Sequence, residues 1–180
     1  MVANAFHLYE DLAYALAESN VALAMSLNGT FIDHDKTRGQ QRNKPIPVFT
    51  TLNVLPKSVW QREYDYLYRY NFEAAARNVQ TAVRVYKEVL GEELALQMLT
   101  ISAVLFNPEK PEPLEELIEY MYEHLGLTDM VVNFYLEMKD GKLQLKHNPR
   151  ECLEAVERLH TWAMSEYGIT VFAAGDAHKF

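Results

Sequence analysis

The chain has 180 residues, of which 49% are hydrophobic, so it is long enough for one packed core and is not a wholly disordered protein. Its single cysteine, Cys152, excludes an internal disulfide framework. The formal net charge is −8, but residues 1–33 carry −4, residues 34–87 carry +6 and residues 88–180 carry −10. This segregation is a hint of polyanion binding. A basic face that meets only solvent, or carboxylates of the same chain, produces the same pattern.

The N-terminal part of the chain predicts a helix followed by a basic extended arm. Residues 4–27 are rich in Ala and Leu and indicate a helix that ends at Gly29. Residues 31–49 combine Lys, Arg and Gln with glycine and two prolines, a composition that opposes regular structure. We therefore treat residues 1–56 as an arm that precedes the core.

Residues 57–90 predict a long helix with one basic side. Pro56 suits the first turn, where its missing N–H is not needed. Alanine and valine positions such as Ala82 and Val85 lie on the side that can face a core. Arginines recur on the other side at intervals of seven, eight and seven residues, within an arc of about 80°. These arginines are Arg62, Arg69, Arg77 and Arg84.

The C-terminal part predicts two more helices, a hairpin and a final helix. The helices cover residues 92–107 and 114–127, and Asp140-Gly141 indicates the turn of a hairpin over residues 131–147. Asn148 and Pro149 suit the start of a helix that extends to about residue 168. A short strand over residues 169–172 is expected to follow.

These elements predict a mainly α protein. The expected architecture is a helical bundle with an N-terminal helical arm and a small β-hairpin in the C-terminal third. Residues 1–56 form the arm and residues 57–180 the core, and together they make one structural unit.

The sequence offers no motif for an enzyme. It contains no glycine-rich phosphate loop, and its histidines and cysteine lack zinc-binding spacing. We therefore predict no catalytic residue, no cofactor, no metal ligand and no small-molecule substrate. No signal-peptide pattern opens the chain, so an intracellular, non-secreted location is expected.

The basic middle predicts a nucleic-acid interface. Lysine and arginine side chains neutralise phosphates and release counterions, and an arginine stripe with helical spacing can follow a duplex backbone. No base-reading motif is present, so the recognition is expected to be of shape and charge. The candidate residues are Lys36, Arg38, Arg42, Lys44, Lys57, Arg62, Arg69, Arg77, Arg84 and Lys87.

The order of an Ala-rich helix, the basic stretch "DKTRGQQRNK" and an Arg-bearing helix resembles the major coat proteins of filamentous and rod-shaped viruses of hyperthermophilic archaea. The resemblance covers roughly residues 1–106. It implies a virion protein that polymerises around double-stranded DNA through phosphate contacts. It further implies a building block made with a second copy or with a related second coat protein. The hairpin over residues 131–147 departs from that all-helical pattern.

A second hypothesis is a non-enzymatic helical protein-interaction subunit or adaptor of a larger complex. The acidic second half of the chain and its 11 tyrosines favour it, because tyrosine is common at interfaces. The basic stripe is then expected to contact an acidic protein. Salt-sensitive DNA binding by the isolated protein distinguishes the two hypotheses.

If the arginine stripe holds DNA, replacing Arg62, Arg69, Arg77 and Arg84 together with Glu should abolish DNA packaging. The helicity of the subunit should stay unchanged. Circular dichroism measures the helicity, and an electrophoretic assay for protein-bound DNA measures packaging. DNA-containing assemblies formed by the variant at the wild-type level would contradict the hypothesis.

Overall fold

A computed structural model describes residues 1–3, 5, 8–27 and 71–174. Within these residues, five strands form one sheet in which all neighbouring strands are parallel. The strands lie side by side in chain order. They are β1 (Val2–Ala3), β2 (Leu23–Ser26), β3 (Leu99–Leu105), β4 (Asp129–Phe134) and β7 (Thr170–Ala173).

Between β4 and β7, a separate hairpin is formed by β5 (Leu136–Lys139) and β6 (Lys142–Leu145), which are antiparallel. The described helices are α1 (Glu10–Glu18), α2 (Asn71–Leu90), α3 (Glu92–Met98), α4 (Glu112–Tyr120) and α5 (Pro149–Tyr167). A π-helical turn, Met121–Leu125, continues α4. None of the helices in the described ranges is both long enough and apolar enough to span a membrane.

The helices pack on one side of the sheet. Crossovers between parallel strands are right-handed, so strands added in chain order place each connecting helix on the same face. In agreement, α1 packs on α2, α2 on the π-helical turn, α4 on α5, and α5 on β7. The opposite face of the sheet receives none of these helices.

The core lies between this helix layer and one face of the sheet. Strand side chains alternate between the two faces, and those on the helix side are buried, among them Met25, Ile101 and Met130. The same cluster contains alanines from the helices, among them Ala13 and Ala82. Small side chains at these positions allow the helices to approach closely.

The prediction of a mainly α helical bundle is wrong. The structure is α/β, with a parallel sheet at its centre and helices beside it. The long helices predicted over residues 4–27 and 92–107 each contain a shorter helix followed by a strand. Those strands are β2 and β3, and they are neighbours in the sheet.

Local sequence explains both errors. Parallel strands read as continuous apolar runs, and a short run of that kind has no period that distinguishes strand from helix. In the first case, Asn20 adopts a left-handed backbone conformation with φ of 53° and separates α1 from β2. In the second, the backbone becomes extended at Leu99, without a glycine or proline, where β-branched Thr100 and Ile101 begin β3.

In the last third of the chain, the structure confirms the predicted hairpin, helix and final strand. Asp140 and Gly141 form the turn of the hairpin between β5 and β6, both with positive φ. The Asn148 side chain caps α5 by accepting a hydrogen bond from the N–H of Arg150 at 2.9 Å. The strand expected over residues 169–172 is β7. Residues 131–134, however, belong to the parallel sheet and not to the hairpin.

Tyr86 joins α2 to the start of β2. Its side chain is fully buried, and its hydroxyl donates a hydrogen bond of 2.7 Å to the carbonyl oxygen of Val21. Burial raises the pKa of this hydroxyl above its ordinary value. The bond satisfies a carbonyl just before the strand.

Replacing Tyr86 with Phe should destabilise the protein by roughly 1–3 kcal/mol, because the Val21 carbonyl loses its donor while the ring still fills the core. Urea unfolding followed by circular dichroism measures the change. Tyr122→Phe is the matched control, because Tyr122 is exposed and its replacement should change the free energy of unfolding little. Equal stability of the two variants would contradict a structural role for the Tyr86 hydroxyl.

Candidate binding site on the parallel sheet

The face of the sheet opposite the helices differs from the core face in chemistry and exposure. Its side chains are small or polar apart from Val104, Val131 and Phe172, and all but Ser102 are partly exposed. Both faces of a parallel sheet are normally covered and apolar. We call this opposite face the free face, in the sense that no described helix packs on it. Its residues are Ala24, Ser26, Thr100, Ser102, Val104, Asp129, Val131, Asn133, Thr170 and Phe172.

Strand register brings three polar side chains of the free face together. Ser26 pairs with Ser102 across β2 and β3, and Ser102 pairs with Val131 across β3 and β4. Asn133 lies two residues further along β4, and its side chain reaches back to Ser102. These residues lie in the carboxyl-terminal half of the sheet, the end at which α/β barrels and open α/β sheets bind their ligands.

Ser102 and Asn133 form a hydrogen-bonded pair. The Asn133 side-chain amide donates to Ser102 Oγ at 2.9 Å and to the carbonyl oxygen of Ala103 at 3.1 Å. Ser102 is only 9% exposed, which makes it the buried polar residue of the free face. Buried polar groups are expected to satisfy their hydrogen-bonding capacity.

A cavity lies on the free face towards the amino-terminal ends of the strands. Its volume is about 690 Å³, within the range of about 300–1,000 Å³ usual for small-molecule pockets. Its wall is mainly apolar, and the polar side chains in it belong to Gln97, Thr100 and Asp129. The Met1 amino group, which also lines the cavity, donates to the carbonyl oxygen of Ala22 at 2.7 Å.

Asp129 is the carboxylate of this cavity. It begins β4 and accepts a hydrogen bond of 3.1 Å from the Thr128 hydroxyl, while its backbone carbonyl accepts one of 2.9 Å from Thr100. Burial raises the pKa of the Asp129 carboxyl, and the Thr128 hydrogen bond partly opposes that effect. No lysine or arginine among the described residues forms an ion pair with it. Partial burial therefore destabilises the ionised form of this carboxyl.

The structure describes three of the ten cations predicted to bind nucleic acid. Arg84 pairs with Glu10 of α1 and with Glu88. Lys87 Nζ lies 2.9 Å from Glu92 Oε1. Arg77 is exposed and has no carboxylate partner in the described ranges. The other seven predicted residues lie outside the described residues, namely Lys36, Arg38, Arg42, Lys44, Lys57, Arg62 and Arg69.

The two described arginines nevertheless share the exposed side of α2, as their seven-residue spacing predicts. The expectation that Ala82 and Val85 face the core is confirmed. Carboxylates of the same chain form ion pairs with two of the three described cations. The prediction of a DNA interface therefore stays a prediction, with less free positive charge on α2 than the sequence indicates.

Sequence reasoning missed the free-face residues because they lie inside apolar runs. In "LTISAVL", the hydroxyl residues Thr100 and Ser102 occupy alternate positions, the period of a strand with one polar face. This alternation of two residues is the signal that the sequence contains, and it is too short to distinguish a strand from a helix. In the described part of the chain, no cluster of His, Cys, Asp and Glu is arranged to hold a metal ion.

Replacing Asp129 with Asn should raise the thermal unfolding midpoint at pH 7 by up to about 2 °C. A carboxyl with a raised folded-state pKa destabilises the fold where it is ionised, and this cost disappears as the pH falls below its unfolded pKa. The advantage of the variant should therefore shrink towards pH 4. Scanning calorimetry at several pH values measures it, with Glu109→Gln as an exposed control. A gain that is independent of pH would contradict this explanation.

Comparison with known proteins identifies no relative of this chain. No protein-family model matches the sequence, and neither a curated protein nor a solved structure matches it. The resemblance to viral coat proteins therefore stays a prediction. The geometry of the sheet is the remaining evidence on what the chain does.

Proposed function

We propose that this protein binds a small molecule on the free face of its parallel sheet. The observation that carries the proposal is the contrast between the two faces. Helices cover and bury one face, whereas the other is partly exposed and holds polar side chains beside a cavity of about 690 Å³. This differs from the expectation drawn from the sequence, which included no small-molecule ligand.

The composition of the free face supports binding over simple solvent exposure. Hydroxyl, amide and carboxyl groups are placed among apolar side chains such as Val131 and Phe172, which line the cavity. Ligand pockets have this character, with a mainly apolar wall and a few polar groups that fix orientation. A face that met only water would carry more charged residues than the single carboxylate of Asp129.

The strands that form the floor of the cavity support the proposal as well. The cavity spans residues from four strands of the sheet, so its floor is held by backbone hydrogen bonds on both sides of each inner strand. Sites built on strands keep their geometry better than sites built on loops. The described cations of α2 lie on exposed helix surface and do not line this cavity.

The coat-protein hypothesis is less well supported by the same structure. It rested on a layout of successive helices over residues 1–106, and two of those helices contain β2 and β3. The pairing of Arg84 and Lys87 with carboxylates of this chain also reduces the positive charge available to phosphates. We therefore place the small-molecule proposal first.

The proposal predicts that a bulky side chain at Ala24 blocks binding. Ala24 lines the cavity from the free face of β2, so Ala24→Trp should fill it. The probe is Nile red, a neutral dye whose fluorescence rises in apolar surroundings. We expect the wild-type protein to enhance the fluorescence, and Ala24→Trp to weaken dye binding at least about tenfold, a loss of about 1.4 kcal/mol.

Leu94→Trp is the matched control, because Leu94 is an exposed residue of α3 that does not line the cavity. Circular dichroism confirms that both variants fold. Dye binding by Ala24→Trp at wild-type affinity would contradict the proposal, as would a wild-type protein that does not bind the dye.

A further inference from the structure

The orientation of the Asn133 side chain is fixed by its partners. One partner is the carbonyl oxygen of Ala103, 3.1 Å away, which can only accept a hydrogen bond. The atom that faces it must therefore be the amide nitrogen. The second N–H of the same nitrogen is directed to Ser102 Oγ, 2.9 Å away. Both side-chain N–H groups of Asn133 are thus used, and its Oδ1 atom has no donor among the described residues.

The Ser102 hydroxyl, in contrast, still has a proton to donate. Its oxygen accepts the hydrogen bond from Asn133, and its proton has no acceptor in the part of the chain that the structure describes. The residue is nine-tenths buried, so water satisfies it poorly. A buried hydroxyl proton without an acceptor destabilises the fold. A ligand atom that accepts this proton recovers part of that cost.

The pair lies next to the cavity without lining it, because Ser102 follows Thr100 by two residues on β3 and Asn133 follows Val131 by two residues on β4. Ser102 lies directly opposite Val131 in the register of β3 and β4, and Val131 lines the cavity. Phe172, which lies opposite Val131 on β7, lines it too. A ligand with an apolar body between these side chains can therefore present its polar end to Ser102 and Asn133.

We propose that Ser102 and Asn133 bind a neutral head group of the ligand that both accepts and donates hydrogen bonds, as a carboxamide or a hydroxyl does. The head group accepts the Ser102 proton and donates to Asn133 Oδ1. This inference rests on the proposed function, because it specifies the ligand of the same face. It adds a class of ligand, an apolar molecule with an uncharged amide or alcohol end.

Charged head groups fit the pair poorly. A carboxylate has no proton to donate, so it places a negative oxygen against Asn133 Oδ1. An ammonium group has no acceptor for the Ser102 proton, and in this cavity it would pair with the Asp129 carboxylate instead. A hydrocarbon leaves both groups unsatisfied. Specificity of this kind is strong because the mismatched ligand leaves buried polar groups without partners.

The test compares five probes that share one aromatic body. Benzamide and benzyl alcohol carry the fitting head groups, whereas benzoate, benzylammonium and toluene do not. Two-dimensional ¹⁵N NMR titration of the full chain gives each dissociation constant and follows the Asn133 side-chain signals directly. We expect benzamide and benzyl alcohol to bind at least about fivefold more tightly than benzoate and toluene, which corresponds to one hydrogen bond of about 1 kcal/mol. Benzylammonium is compared in the Asp129→Asn variant, because the Asp129 carboxylate of the same cavity would otherwise attract it. Equal or tighter binding of benzoate or toluene, or of benzylammonium to that variant, would overturn the proposal.

Variants at Ser102 test the contribution of the pair independently of the rest of the cavity. Ser102→Ala should weaken benzamide binding about five- to tenfold, because the ligand loses its hydrogen-bond donor, and should leave toluene binding unchanged, because toluene does not use that donor. Ser102→Thr, which retains the hydroxyl, should restore benzamide binding. Ser26→Ala is the matched control, because Ser26 lies beside Ser102 on the same face without bonding to Asn133. Thermal unfolding checks that each variant folds.

The two proposals fail in different ways. If Nile red binds and Ala24→Trp blocks it, but Ser102→Ala binds benzamide like the wild type, then the head-group assignment is wrong and the binding function stands. If the wild-type protein binds neither Nile red nor any of the five probes, both proposals are wrong.

Discussion

The parallel pairing of β3 with β2 on one side and β4 on the other is the constraint on which the rest of the structure depends. Because successive strands add to the sheet in chain order, each right-handed crossover returns on the same side. All described helices consequently form a single layer. A strand order that reversed partway would have divided the helices between both faces and covered the free face.

The single helix layer determines how the core is packed. Alanines such as Ala17 and Ala163 are fully buried within it, and they let helices lie close to the sheet and to one another. Larger side chains, including Met25 and Ile101, project from the sheet into the space that remains. Hydrophobic burial by the described helices is therefore concentrated on one side of the sheet.

How far the fold could be predicted from the sequence depended on local signals. The hairpin turn at Asp140-Gly141 and the cap at Asn148 are local features with known stereochemistry, and both were predicted correctly. The strands β2 and β3 were missed because a partner strand, and not the local sequence, decides whether an apolar run becomes extended. Residues 23–26 and 99–105 are far apart in the chain, and a single sequence holds no direct sign that they pair.

The candidate site was hidden for the same reason. Ser102 and Asn133 are ordinary residues 31 positions apart, and only the register of β3 and β4 brings their side chains to 2.9 Å. The basic residues can be recognised as a candidate site because their charge is known without any knowledge of the fold. In the structure, the uncharged pair is the better candidate. Arg84 joins α1 to α2 through Glu10, whereas the uncharged pair retains a donor and an acceptor for a ligand.

Uncharged polar residues on a central strand are costly unless they do something that apolar residues cannot. Valine at position 102 would suit a parallel strand and would leave no hydroxyl to satisfy. The chain instead places serine there and orients a neighbouring asparagine through two hydrogen bonds. That arrangement contributes little to the core, which lies on the other face. It is the expected form of a site whose hydrogen bonds are completed by a molecule from outside the chain.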